Sequence, residues 1–173
     1  MAQTFTAYYP SVAFAAGKNM AAIINQHPTE LIKIRRIGLL NTQTAAVTGV
    51  ICQLDVRLYT GSVFLNGSTA VVPTMHDSTN TMPLSGAYSH AGAVSGTLAG
   101  TFRRVFWSSD EPGISAATND EMECFVPWNI IFDAGYADSN VQPLVLRQDQ
   151  MVVVFNTVGA AGLLDTWIEF TKE

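Results

Sequence analysis

Three histidines are the side chains of this sequence best suited to metal binding or general base catalysis, but their spacing does not bring them together. His27, His76 and His90 are scattered, and no two of them form an H-x-H or H-x-x-x-H pair. A site of two histidines and one carboxylate needs such convergent spacing. His76 precedes Asp77, but adjacent residues on a strand face opposite ways, and residues 76–81 read as a solvated loop. We therefore predict no metal site and no catalytic histidine.

Other catalytic groups are not predicted either. The sequence holds no G-x-S-x-G turn, and neither Cys52 nor Cys124 lies in a motif typical of a catalytic thiol. Both cysteines are expected to be reduced and buried. Five acidic residues between positions 110 and 123 offer oxygen ligands for Ca²⁺ or a carboxylate pair for glycoside hydrolysis, but they lack the spacing of a calcium loop. We predict a solvated acidic loop there, and no enzyme activity and no cofactor for the chain.

The charge of the chain argues against two classes of partner. Its 173 residues include nine basic and 14 acidic side chains, for a net charge of −5. Nucleic acid and anionic membranes both require clustered Lys and Arg, so neither is a predicted partner. Charged residues make up only 13% of the chain, against about 25% in an average soluble domain. This deficit predicts that other subunits cover part of the surface.

The N-terminal segment does not resemble a targeting signal. No basic residue precedes Lys18, and Pro10 interrupts the apolar stretch, so a signal peptide is not expected. No apolar run reaches the roughly 18 residues that a transmembrane helix needs. We expect a protein made and folded in a cytoplasm. Residues 1–173 are expected to form one domain, with an N-terminal arm at residues 1–25 as an alternative for that segment.

The elements that position these residues are predicted to be β-strands. Several runs of residues alternate with period two and are rich in Val, Ile, Thr, Phe and Tyr. In residues 50–60 the even-numbered positions up to Leu58 are apolar, while Gln53, Asp55 and Arg57 face the other, wet or interfacial, side. The other predicted strands are residues 4–9, 12–16, 31–40, 62–65, 70–75, 97–107, 122–133, 144–156 and 163–171.

Three segments have weaker patterns. Residues 18–24, in an Ala-rich stretch, are compatible with a short helix. Residues 85–100 carry four glycines without the Lys-Ser/Thr of a phosphate loop, so we predict a flexible surface loop. The small residues 157–162 are expected to join strands 151–156 and 163–170 as a C-terminal hairpin.

Eight to ten strands in a chain of this length favour an all-β fold, an antiparallel β-sandwich of the jelly-roll type. Two packed sheets bury each other's apolar faces, which satisfies the alternating pattern of every strand. A closed up-and-down barrel is the alternative.

Two pairs of adjacent arginines are the main candidates for an interaction surface. Arg35 and Arg36 lie in one predicted strand, and Arg103 and Arg104 lie in another. Because consecutive residues face opposite sides, one Arg of each pair should point toward the apolar face or toward a neighbouring subunit. There it would form charge-assisted hydrogen bonds across an interface. The alternative is that all four reach water at strand ends.

Aromatic residues offer a similar choice. Trp107, Tyr8 and Tyr9 lie at predicted strand ends and are candidate interface anchors, with an aromatic sugar-binding platform as the alternative. Eight other aromatic residues are predicted to be mostly core: Phe102, Phe106, Phe125, Trp128, Phe132, Phe155, Trp167 and Phe170.

Three segments carry a resemblance to a known family. They are IRRIGLLN at residues 34–41, FRRVFW at residues 102–107, and the closing strands from LVLRQDQ at residue 144 to LLDTWIEF at residue 163. In strand pattern, length and low charge the chain resembles the small jelly-roll decoration, or cement, proteins on the heads of tailed bacteriophages. The resemblance implies a virion protein, assembled in the host cytoplasm, that forms a homotrimer and stabilises the head by binding the major capsid protein. A trimeric carbohydrate- or receptor-binding module of a phage fibre or spike is the alternative.

Overall fold

The computed structural model describes residues 3–42, 50–81, 86–109, 128–134, 142–158 and 162–173, which form strands and no helix. Among these residues, accordingly, no helix is long and apolar enough to cross a membrane. The strands are β1 (Gln3–Ala13), β2 (Asn19–Asn25), β3 (Ile32–Asn41), β4 (Val50–Asn66), β5 (Thr69–Ala70), β6 (Thr74–Met75), β7 (Gly86–His90), β8 (Ala93–Ser109), β9 (Trp128–Asp133), β10 (Leu144–Leu146), β11 (Gln150–Val158) and β12 (Leu163–Lys172).

The strands form two antiparallel sheets that pack together as a β-sandwich. The first sheet has the order β6-β1-β12-β3-β10, and β9 pairs with β3 on the same edge as β10. The second sheet has the order β5-β7-β2-β11-β4-β8. The eight strands β1-β12-β3-β9 and β2-β11-β4-β8 are arranged as in a jelly roll. In chain order they cross from one sheet to the other at every step except from β4 to β8, which pair within the second sheet. The predicted fold class is confirmed.

The main core lies between the sheets. Alternate residues of β12 point inward, and among them Ile168 and Phe170 are completely buried. The Phe170 ring stacks on Phe5 of the same sheet at 5.4 Å and on Tyr88 of the opposite sheet at 5.5 Å between ring centroids. Such pairs add about 0.5–1.5 kcal/mol each beyond the burial of their area, so this stack joins the two sheets at one end of the sandwich.

A second apolar cluster covers the outer face of the second sheet. The paired strands β4 and β8 extend beyond that sheet as a ribbon, and β4 bends at Gly61, whose φ is +68°. The bend brings Val63 onto Ile24 and Val153, which are therefore buried on the outer face. The full membership of this cluster is Ala22, Ile24, Tyr59, Val63, Met151 and Val153.

The structure corrects the prediction of a helix at residues 18–24. This segment is β2, and every one of its residues is buried. A central strand buried on both faces has no polar alternation, so its sequence lacks the period-two signal. Within the segment 1–25, residues 3–13 and 19–25 are thus the strands β1 and β2 of the two sheets.

The predicted loop at residues 85–100 is also wrong within the described residues. Residues 86–90 form β7, and β8 begins at Ala93. Two of the glycines leave no room for a side chain. A Cβ on Gly92 would lie 2.8 Å from Ser68 Cβ, and one on Gly96 would lie 2.9 Å from Val63 Cγ1. Glycine is required where the ribbon folds this closely.

The predicted C-terminal hairpin does not exist. β11 pairs with β2 and β4 in the second sheet, whereas β12 pairs with β1 and β3 in the first. The two strands therefore lie in different sheets. The prediction failed because alternation indicates that a segment is a strand but not which sheet it joins. Other boundaries also shift. The predicted strands 4–9 and 12–16 are the single strand β1, which ends at Ala13, and residues 62–65 belong to β4. Residues 70–75 are divided between β5 and β6 in different sheets, and residues 144–156 between β10 and β11.

Candidate interaction surfaces

A buried carboxylate between two arginines lies on the outer face of the second sheet. No part of the Asp55 side chain is exposed, whereas the Arg104 side chain is 54% exposed. Arg104 donates from Nε to Asp55 Oδ1 at 2.8 Å and from Nη2 to Oδ2 at 3.2 Å. Arg57 donates to Asp55 Oδ2 from Nη2 at 2.7 Å and from Nε at 3.1 Å. The predicted wet face of β4 therefore carries a buried ion cluster.

The cluster fixes the charge of Asp55. Burial by itself raises the pKa of Asp55, but the hydrogen bonds and positive charges of Arg104 and Arg57 outweigh it, so that this pKa lies below the ordinary value. The Arg57 guanidinium also lies 4.2 Å from the centroid of the Phe155 ring, a cation–π contact. Asp55, Arg57 and Arg104 together carry one net positive charge at the β8 side of the sheet.

The last strand of the second sheet, among the described residues, is β8. We call residues 96–104 the β8 edge surface; all of them are exposed except Gly100, which is half-buried. Leu98 and Phe102 are 48% and 52% exposed, and no charged residue occurs before Arg103. The expectation that Phe102 belongs to the core is therefore wrong. Phe102 has no opposite residue in β4, because a β-bulge adds it to β8 between Thr101 and Arg103.

The arginines of the second pair behave as the alternation predicts. Arg104 is opposite Asp55 on the outer face, and Arg103 is opposite Val56, which belongs to the core. Arg103 is nevertheless exposed, because β8 lies at the edge, and its Nη1 donates to the carbonyl oxygen of Ile131 at 3.2 Å. Arg103 thus connects β8 of the second sheet to β9 of the first.

The arginines of the first pair do not alternate. The register places Arg36 opposite Glu169 and Ile34 opposite Phe170, which leaves Arg35 as an extra residue in a bulge of β3. Both arginines consequently lie on the outer face of the first sheet. Arg35 Nε donates to Thr171 Oγ1 at 3.2 Å. Neither points to the apolar face, because a bulge resets the alternation, and a contact of either arginine with a neighbouring subunit stays a prediction.

The three predicted aromatic anchors have different positions. Tyr8 is 45% exposed on the outer face of the first sheet. Tyr9 is completely buried, and its hydroxyl donates to the carbonyl oxygen of Ala22 at 2.8 Å, so it belongs to the core and offers no surface to a partner. Trp107 lies opposite Cys52 in the pairing of β8 with β4, and both side chains are outside the described residues. Cys124 and the predicted acidic loop at 110–123 are likewise outside them.

An aromatic row crosses the outer face of the first sheet. Tyr8 of β1 is opposite Trp167 of β12, which is opposite Gly38 of β3, which is opposite Ile130 of β9. A Cβ on Gly38 would lie 2.2 Å from Trp167 Cε2 and Cζ2, so the indole lies directly over this glycine. Trp167 is only partly buried. The expectation that Trp167 belongs to the core is wrong, since inward-facing Ile168 and Phe170 fix the opposite parity for residue 167.

A charged row runs beside the aromatic row, two residues further along β12. It consists of Thr6, Glu169, Arg36 and Asp133 in register across β1, β12, β3 and β9. Arg36 Nε and Asp133 Oδ2 are 3.1 Å apart, and both side chains are more than one third exposed. Glu169 Oε1 lies 4.0 Å from His76 Nδ1.

Asp165 holds the other side of the aromatic row in place. Its carboxylate accepts hydrogen bonds from the Tyr8 hydroxyl, from Ser11 N at 2.6 Å and from Thr42 Oγ1 at 3.0 Å. Ser11 has a φ of +47° in the bulge of β1 opposite Asp165. Asp165 is 4% exposed, so these three bonds provide its polar contacts in place of water.

The three histidines lie on separate elements, as their spacing predicts. His27 Nδ1 accepts a hydrogen bond from Glu30 N at 2.9 Å in the turn before β3. Exposed His76 follows β6 and bonds to Thr6 Oγ1 at 2.7 Å, and His90 ends β7 beside the Tyr9 ring. Within the described part of the chain, no three His, Cys, Asp or Glu residues are grouped so that they could hold a metal ion.

Comparison of the chain with protein-family models, curated proteins and solved structures finds no match.

Sequence reasoning did not single out several residues of these surfaces, among them Asp55, Arg57, Trp167 and Asp165. One signal in the sequence does point to the ion cluster, because Asp55 and Arg57 are two residues apart on a strand and so share a face. The outward position of Trp167 follows from the inward position of its neighbour Ile168, because adjacent residues of a strand face opposite sides. The role of Asp165 depends on two distant loops and has no local signal.

Proposed function

We propose that this chain is a viral structural protein, a decoration protein that trimerises and binds the outer surface of a tailed-phage head. The observation that carries self-association is the β8 edge surface, an exposed strand edge without charge from residue 96 to residue 102. An edge strand presents unpaired backbone N–H and C=O groups to another chain, and soluble monomers normally block such edges with Lys or Pro.

The occupant of this surface in the proposal is a second copy of the chain. Leu98 and Phe102 supply the apolar contact, and Arg103 and Arg104 border it. The chain has a net charge of −5, so a neighbouring copy offers an excess of carboxylates to these arginines. A covered edge of this kind also accounts for the low content of charged residues.

Light scattering after size exclusion, at micromolar concentration, tests the trimer. The expected mass is three times that of one chain, and a single-chain mass overturns the proposal. The variant Phe102→Lys places a charge on the β8 edge surface and should shift the mass toward one chain. Phe64→Lys is the matched control, because Phe64 is similarly exposed at 48% but lies on the β4 ribbon; it should keep the wild-type mass.

Binding to a phage head is tested by co-sedimentation with purified capsids and by the copy number in virions. A decoration protein bound to the major capsid protein is present in proportion to that protein. A fibre or spike module for carbohydrate or receptor binding, the second candidate function, is present in a few copies. The exposed Tyr8 and partly exposed Trp167 favour this second candidate, and the copy number separates the two.

A further inference from the structure

Trp167 forms a fixed, flat aromatic surface on the outer face of the first sheet. Its indole covers Gly38, where an added Cβ would lie 2.2 Å from Cε2 and Cζ2 of the ring. The side chain remains partly exposed. A ring that is already held in one orientation loses little conformational freedom when a ligand stacks on it.

Tyr8 extends this surface and is held just as firmly. It lies directly opposite Trp167 and is 45% exposed, while its hydroxyl donates to the buried carboxylate of Asp165. Asp165 is fixed in turn by Ser11 N and Thr42 Oγ1. The two aromatic side chains therefore have a rigid second layer of contacts beneath them.

Hydrogen-bonding groups border the aromatic row on one side. Glu169 is two residues from Trp167 on the same face of β12, about 6.6 Å along the strand. Opposite Glu169 lie Thr6 and Arg36, and beyond Arg36 lies Asp133. This charged row contains carboxylate, guanidinium and hydroxyl groups.

We propose that the aromatic row and the charged row together form a binding site for a hexopyranose sugar. The apolar C–H face of the sugar ring stacks on Trp167, and its equatorial hydroxyls bond to Glu169 and Arg36. A second copy of the chain is a less suitable occupant, because a stable protein interface buries about 1,000 Å² or more and two aromatic side chains beside an ion-paired row offer far less apolar area. The site does not depend on the proposed trimer, since it lies on the opposite sheet from the β8 edge surface.

Saturation-transfer NMR tests the proposal with three sugars: methyl β-D-glucopyranoside, methyl β-D-galactopyranoside and N-acetylglucosamine. Each is used at about 10 mM, which detects dissociation constants in the millimolar range. The expected result is transfer to at least one of the sugars, strongest at the axial protons of one ring face. No transfer from the wild-type protein to any of the three overturns the proposal.

Two variants locate the site. Trp167→Ala should lower the affinity by about tenfold or more, and Gly38→Ala should also lower it, because the added methyl group displaces the indole. Phe102→Ala, on the opposite sheet, is the control and should bind the sugar as the wild type does. Circular dichroism first establishes that each variant is folded. A folded Trp167→Ala protein with undiminished binding refutes the site.

The oligomeric mass of Trp167→Ala separates this proposal from the trimer. If this variant becomes monomeric and the wild type shows no sugar signal, the aromatic row is a subunit interface and the sugar site is wrong. If Phe102→Lys is monomeric and still binds sugar, the sugar site and the trimer are both supported and are independent.

Discussion

The carboxylate of Asp55 and the guanidinium of Arg104 form a two-point ion pair across the β4–β8 boundary, with Nε to Oδ1 at 2.8 Å and Nη2 to Oδ2 at 3.2 Å. The carboxylate is fully buried, and Arg104 is more than half exposed. Arg57 is bonded to the same carboxylate from the other side. Two cations thus depend on one buried anion for their compensation.

Asp55→Asn should lower the free energy of unfolding by about 1–3 kcal/mol, because it leaves two guanidinium groups close together without a counter-charge. Urea denaturation followed by circular dichroism measures this loss. The control is Asp133→Asn, which breaks the exposed pair with Arg36 and should cost less than about 1 kcal/mol. Equal losses in the two variants would mean that the Asp55 cluster has no special role.

The contribution of Asp55 should also depend on pH. Its pKa is lower in the folded protein than the roughly 3.9 of an unfolded chain, because hydrogen bonds from Arg104 and Arg57 outweigh the effect of burial. The stability it provides is therefore complete above the unfolded value and is lost as the pH falls through the folded value. Urea titrations from pH 6 to pH 2.5 should show wild type and Asp55→Asn converging below about pH 4. A constant difference across that range would contradict the pKa direction.

Asp165→Asn should be more destabilising than Tyr8→Phe. The amide removes the charge from all three hydrogen bonds and places an N–H₂ group against the Tyr8 hydroxyl, which must then accept instead of donate, and we expect a loss of about 1–3 kcal/mol. Tyr8→Phe removes one of the three hydrogen bonds to Asp165 and should cost about 1 kcal/mol. Thermal or urea denaturation gives both values, and the reverse order would exclude Asp165 as the centre of this network.

Ala91→Gly should raise the free energy of unfolding by about 1 kcal/mol. Ala91 has a φ of +62° in the turn between β7 and β8, a conformation that costs an alanine energy and a glycine almost none. Its N–H donates to the carbonyl oxygen of Asn19 at 2.8 Å, a bond that glycine retains. Ala93→Gly, within β8, is the control and should lower stability by about 0.5–1 kcal/mol.

The sequence reveals most strands because alternation is a local property. Residues 50–60 and 163–171 show it clearly, and both segments are strands in the structure. The helix expected at residues 18–24 fails because β2 is buried on both faces. The hairpin expected after Asn156 fails because the choice of sheet is decided by packing between distant strands.

The candidate surfaces were predictable only in part. Arg103 and Arg104 were identified, and the structure places them beside the exposed Leu98 and Phe102. For Arg35 and Arg36, alternation predicts one side chain on each face, but a bulge that the sequence pattern does not reveal places both on the same face. The aromatic row depends on register across four strands, which no single segment specifies.

The position of the last two strands decides when this chain is able to fold. β12 lies between β1 and β3, and β11 lies between β2 and β4, so the final strands occupy the centre of both sheets. Without residues 150–172, β1 cannot be joined to β3 and β2 cannot be joined to β4, so neither sheet is complete at its centre. The formation of both sheets therefore requires the closure of long-range contacts such as Gln3 with Lys172, which is slow in comparison with local pairing. Before these contacts close, the exposed edges of the central strands are open to aggregation.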